Sequence, residues 1–167
     1  MLRFLLCLAL FAPPAAAAPP SATAHAVARV PGWVSPLGGP PEVVRPFDPP
    51  ARPWLPGHRG VDLAGIPGAP VRSAGVGVVV FAAPLAGRGV VSIEHPSGLR
   101  TTYEPVTATV AAGDAVGPGT TIGRLDAGHP GCPVAACLHW GLRRDLTYLD
   151  PMLLLRPVRV RLKPLSG

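Results

Sequence analysis

The stretch P-G-H-R-G-V-D-L-A-G, Pro56 to Gly65, carries an imidazole and a carboxylate four residues apart, His58 and Asp62, with Gly60 between them. A nitrogen donor plus a hard oxygen donor is a zinc-type pair. Pro56-Gly57 ahead of the pair and Gly60 within it argue against a helix. The spacing therefore places both side chains on one face of a strand or bulged loop. The same residues would also serve a catalytic dyad or a tight polar turn, and two donors alone do not define a site.

Further donors must come from elsewhere in the chain, which has five histidines. His25 falls at the junction of an export leader, and His129 sits in a Gly-Pro loop, so both are expected in solvent. His95 precedes Pro96 in a hairpin turn and is expected to be exposed there. His139 differs. It stands in C-L-H-W-G-L-R, where Leu138, Trp140 and Leu142 alternate with Cys137, His139 and Gly141. The first set can fill a core, leaving His139 on the opposite face beside small residues, as an inward-facing metal ligand requires.

The elements that would position these residues follow from composition and punctuation. The 167 residues suit one modest domain, and 24 Pro with 20 Gly argue against a helical bundle. Short strands punctuated by Gly are expected at Pro70–Ser73, Gly77–Ala82, Val90–His95, Leu99–Glu104, Thr107–Val110, Thr121–Leu125 and Leu138–Arg143. V-V-S-I-E-H and L-R-T-T-Y-E face each other across P-S-G as a hairpin. The segment Val110 to Gly123 reads as a pair of turns around a short apolar stretch. Asp150-Pro151 followed by M-L-L-L predicts one helical turn, and Val158–Leu162 a last strand. The fold class is all-β, a single domain built on an antiparallel sheet core over residues 57–156, with a tail at 157–167.

The first 18 residues read as a signal peptide: Arg3 is the basic start, Leu2 to Phe11 the apolar run, and Ala15 to Ala18 the small-residue cleavage site. That run is too short to span a bilayer, so no transmembrane segment is expected after signal removal. The expected location is secreted, at the cell envelope. Residues 19–56 form a Pro-rich lead-in, with an edge strand at Val43–Val44 and with Trp33 and Phe47 available to pack on the domain. In an oxidising compartment, Cys132 and Cys137 of C-P-V-A-A-C favour a disulfide closing a small loop over a thiolate metal site. The formal charge of +6 comes from scattered basic residues, and only 5% of the chain is aromatic. No nucleic-acid surface built on stacking is expected, whereas an anionic cell-wall polymer is compatible with the charge.

Five ordered blocks carry a family resemblance: H-R-G-V-D-L-A; G-V-V-V-F-A-A with G-R-G-V-V-S-I-E-H-P-S-G-L-R-T-T-Y; V-A-A-G-D-A-V-G-P-G-T-T-I-G-R-L; C-L-H-W-G-L-R; and Y-L-D-P. Over roughly Gly57 to Leu155 the chain resembles the lysostaphin/LytM-type zinc endopeptidases, which cleave peptide cross-links in bacterial peptidoglycan. The resemblance implies an all-β fold with a surface groove floored by an antiparallel sheet. It also implies a Zn2+ cofactor held by His58, Asp62 and His139, and peptidoglycan as partner.

Two departures bear on activity. The first histidine of the family's H-x-H motif is Cys137 here, and the histidine of its Y-x-H-L stretch is Pro105. Neither residue can replace an imidazole in proton transfer, so activity is expected to be weak or absent and the catalytic residues stay unassigned. Glu104 neighbours the lost histidine, but strand alternation is expected to point it to the other face. Two other readings stay open: a non-catalytic module that binds peptidoglycan or regulates a hydrolase, and a metal-free structural β domain.

Overall fold

The strand signals read from alternation and glycine punctuation correspond to a nearly all-β domain. The computed structural model describes residues 32–52 and 54–156. Its strands are β1 (Val43–Arg45), β2 (Gly60–Gly65), β3 (Pro70–Arg72), β4 (Gly77–Leu85), β5 (Arg88–Glu94), β6 (Leu99–Glu104), β7 (Val106–Ala108), β8 (Ala115–Val116), β9 (Thr121–Leu125), β10 (Ala136–Arg144) and β11 (Thr147–Leu149). One 3-10 turn, Pro151–Leu155, comes where the D-P-M-L-L-L signal placed it, with the Asp150 carboxylate accepting from the Met152 amide at its start. The expected leader and the expected last strand at Val158–Leu162 lie outside the described residues.

Every pairing is antiparallel. The large sheet runs β1-β2-β10-β6-β5-β4-β8, with β11 returning on β10, and a second sheet runs β3-β9-β7. Strand β1 is the edge strand expected in the lead-in. The P-S-G hairpin joins β5 to β6, with Gly98 at φ 72° supplying the left-handed turn residue.

The core draws on both sheets. Val61, Leu63, Leu138, Trp140, Tyr103 and Ile93 of the large sheet meet Val71, Val106, Ile122 and Leu125 of the small one. Trp33 and Phe47 of the lead-in pack against this cluster. Since Val61 and Leu63 of β2 and Leu138 and Trp140 of β10 face the core, alternation turns Asp62 and His139 to the other face. There Asp62 stands directly across from His139, and His139 across from Glu104. Three adjacent strands thus lay one row of functional side chains across the sheet.

His95 departs from its expected exposure: it is 3% exposed. Its Nδ1 donates to the Val76 carbonyl (2.7 Å), its Nε2 lies 2.8 Å from Thr101 Oγ1, and its ring meets Trp33 edge-on at 4.7 Å. The hairpin turn is at the surface, but its first residue folds back under the lead-in. Burial holds the His95 pKa below its ordinary value, against the opposing effects of the Val76 carbonyl and Glu94.

Candidate metal centre

Strands β2 and β10 are neighbours because both present an apolar alternation to the core, and that pairing brings together residues 77 positions apart. His139 Nδ1 lies 2.8 Å from Asp62 Oδ1, His58 Nε2 lies 2.9 Å from the same oxygen, and the two ring nitrogens are 3.1 Å apart. These three donors form the cluster capable of holding a metal among the described residues. Their separations approach the edge of about 3.3 Å in a tetrahedron with bonds of ~2.0 Å.

The tautomer of His58 favours the same use. Its Nδ1 lies 2.6 Å from the carbonyl oxygen of Pro46, a group that only accepts, so Nδ1 carries the proton. With that proton committed, Nε2 turns a lone pair toward Asp62 and His139. A cation placed between the three would be shared by all of them. Residue 46 belongs to the lead-in, and the Asp48–His58 bridge fixes the same crossing. The lead-in therefore supplies an outer hydrogen bond that orients the His58 ring, as such partners do for histidines at metal sites.

Both His58 and Asp62 are buried, at 5% and 1% exposure, and His139 is half-buried. Burial alone would raise the Asp62 carboxyl. The hydrogen bond with His139 and the positive potential of His129, His58 and His139 outweigh it and hold the group below the usual carboxylate range. Asp62 is thus kept anionic, as a ligand must be.

His129 is the residue that sequence reasoning misplaced. Expected in solvent, its side chain is only 11% exposed, and its Nε2 lies 3.6 Å from Asp62 Oδ1. Its ring runs nearly parallel to that of His139, at 6.0 Å between centroids. The signal was present: Cys132 comes three residues later and bonds to Cys137, two residues before His139. Loop composition alone concealed it. The disulfide itself formed as expected.

Glu104 also corrects an expectation. It faces the site side, because alternation along β6 gives Thr101 and Tyr103 the core face and Glu104 the opposite one, whereas Pro105 lies beyond the strand. Its two carboxylate oxygens accept from Arg88 at 2.9 and 3.2 Å. That pairing raises the Arg88 pKa further. An open cleft of about 390 Å³ lies over this row, with Arg88, Arg100 and Arg143 among its walls.

Residues 56–151 match the model of peptidase family M23. The chain belongs to this family of metallopeptidases. Among curated relatives, an uncharacterized protein of Mycobacterium tuberculosis is 57% identical over 151 residues, covering 88% of this chain and 60% of the relative. The chain thus spans less than two thirds of the length of the curated relatives it matches. A zinc-containing peptidase of Vibrio cholerae superposes with a TM-score of 0.56 and 27% identity, over 72% of this chain and 38% of that one. Csd3 of Helicobacter pylori does so at 0.59 and 26%, over 79% and 37%. The catalytic domain of lysostaphin from Staphylococcus simulans shares the fold, at 0.58 and 24%, over 69% and 92%. The M23 fold and its lysostaphin/LytM-type lineage agree with the resemblance read from the five sequence blocks.

Proposed function

We propose that this M23 domain is exported to the cell envelope, holds Zn2+ through His58, Asp62 and His139, and engages peptidoglycan, with hydrolysis weak or absent. The convergence of three donor atoms within 3.1 Å of one another, with the His58 proton committed to Pro46, carries the reading. Zinc, when bound, supplies Lewis acidity that polarises an amide carbonyl and activates water for attack.

The chain's own residues set the rest of the chemistry. His58 and His139 offer ring nitrogens, and Asp62 neutralises part of the positive charge. Arg143 gives the cleft a cationic wall suited to the carboxylates of a peptide-bearing wall polymer, while Arg100 beside it is paired with Glu94. Proton transfer is the weak point. Cys137 is bonded to Cys132 and has no thiolate to offer, Pro105 has no ionisable group, and Glu104 is committed to Arg88. Loss of general acid–base assistance typically costs on the order of 10²–10⁴-fold in rate.

Metal content of the purified chain, with His58→Ala as control, tests the reading. About one zinc per chain, lost in the variant, is expected. Sedimentation with insoluble peptidoglycan should retain the protein and release soluble fragments slowly or not at all. No zinc in either protein overturns the proposal.

A further inference from the structure

We infer that His129 is a fourth side chain of the metal centre, held over Asp62 and His139 by the Cys132–Cys137 bridge, and that metal affinity depends on it. The inference rests on the proposed zinc reading and extends it to a residue outside the H-x-x-x-D and H-x-H positions.

The placement has a covalent cause. Cys137 occupies β10 two residues before His139, and its sulfur is bonded to Cys132, with 5.7 Å between the two α-carbons. From Cys132 the chain turns back at once: the Cys132 amide donates to the His129 carbonyl at 3.1 Å. Gly128 and Gly131, at φ 90° and 79°, adopt the left-handed conformation that the reversal needs on either side of His129-Pro130. A disulfide and one turn therefore connect the ligand strand to the His129 ring. The cysteine that stands where the family carries a histidine also anchors the loop that returns an imidazole.

The ring has been brought to the site with little else to bond. Its Nδ1 is buried and has no hydrogen-bond partner among the described residues. Its Nε2 faces Asp62 Oδ1 at 3.6 Å, roughly an ångström or less beyond a hydrogen bond. Leaving Nδ1 buried and unpaired costs about 1–3 kcal/mol, so the loop and its disulfide, rather than the ring's own hydrogen bonds, hold the imidazole here. His129 also lines a second cavity, of about 430 Å³, together with His58 and His139. It stands outside the set of three mutually close donors, so its role is to orient Asp62 rather than to complete the tetrahedron. Partners that hydrogen-bond ligating carboxylates typically contribute 10–100-fold in metal affinity. Such a residue is a positioning residue, and its effect is read on affinity.

Zn2+ affinity by chelator competition decides the matter, measured on the oxidised full chain, on His129→Ala and His129→Gln, and on Cys132→Ser/Cys137→Ser. Thermal unfolding in chelator checks that each variant is folded. His129→Ala is expected to weaken affinity about 10–100-fold, and His129→Gln, which keeps an N–H donor, to recover part of the loss. The double cysteine variant should weaken binding similarly, and adding His129→Ala to it should cost little more. Affinity unchanged in His129→Ala overturns the inference while the zinc reading stands. Additive losses overturn the tether. Absence of zinc binding in the unsubstituted protein overturns the zinc reading and this inference together.

Discussion

Gly60 and His139 meet with no room for a side chain between them: a Cβ at Gly60 would lie 2.7 Å from His139 Nε2 and 2.5 Å from the Trp140 carbonyl oxygen. The glycine of H-R-G-V-D is thus required by the Trp140 carbonyl and the His139 ring on the neighbouring strand, not by its own backbone angles. Gly60→Ala should push the His139 ring or the β2–β10 ladder aside. Overpacking of this kind costs about 1–3 kcal/mol. Thermal unfolding in chelator would show that loss, and zinc competition would show weaker binding beyond it. A variant with unchanged affinity would mean that the ring has a second workable position.

Stability should fall on mild acidification because of His95. Its pKa is held below the ordinary value of about 6.5 by burial, so the unfolded chain takes up a proton in a range where the folded chain does not. The contribution is fully present above about pH 6.5 and is lost as pH falls from there through the folded pKa. The slope approaches at most about 1.4 kcal/mol per pH unit for one proton. Urea unfolding at several pH values in chelator, for the native chain and His95→Gln, isolates the term by difference. Equal slopes in both would assign the acid sensitivity to other groups.

Much of this site was legible in the sequence, for identifiable reasons. His58, Asp62 and His139 sit in motifs whose local pattern survives in the chain, and the apolar alternation of Leu138, Trp140 and Leu142 already said which way His139 points. What stayed hidden depended on contacts between distant segments. His129 reaches the site through a disulfide, which residue spacing suggests but does not aim. Glu104 was sent to the wrong face because alternation was carried past the end of β6. His95 is buried by Trp33, a lead-in residue 62 positions earlier. Strand β2 was masked by its glycines, although it carries Asp62.

Tyr103→Phe should destabilise the domain without touching the candidate metal centre. The Tyr103 hydroxyl is fully buried, accepts from the Ala74 amide at 2.9 Å and lies 3.0 Å from Thr101 Oγ1. Removing it strands a buried amide, at a cost of about 1–3 kcal/mol. Urea unfolding gives that cost, and zinc competition should be unchanged. Weakened zinc binding would reveal coupling from the core through Trp140, the cross-strand neighbour of Tyr103 and chain neighbour of His139.

Zinc should stabilise the folded chain through the three proposed ligands. A ligand that binds only the folded state adds about 2.7 kcal/mol at a free concentration of 100 Kd. For a domain of this size that raises Tm by several degrees, roughly 4–8 °C per kcal/mol at the small end and less for larger domains. The native chain should therefore gain a zinc-dependent rise in Tm that chelator reverses. His58→Ala, Asp62→Ala and His139→Ala should each lose it. Glu104→Gln should keep it, since Glu104 pairs with Arg88 and adds no donor to the cluster. A rise retained in His139→Ala would move the metal away from the β2–β10 ladder. A rise lost in Glu104→Gln would instead make the Arg88–Glu104 pair part of the centre.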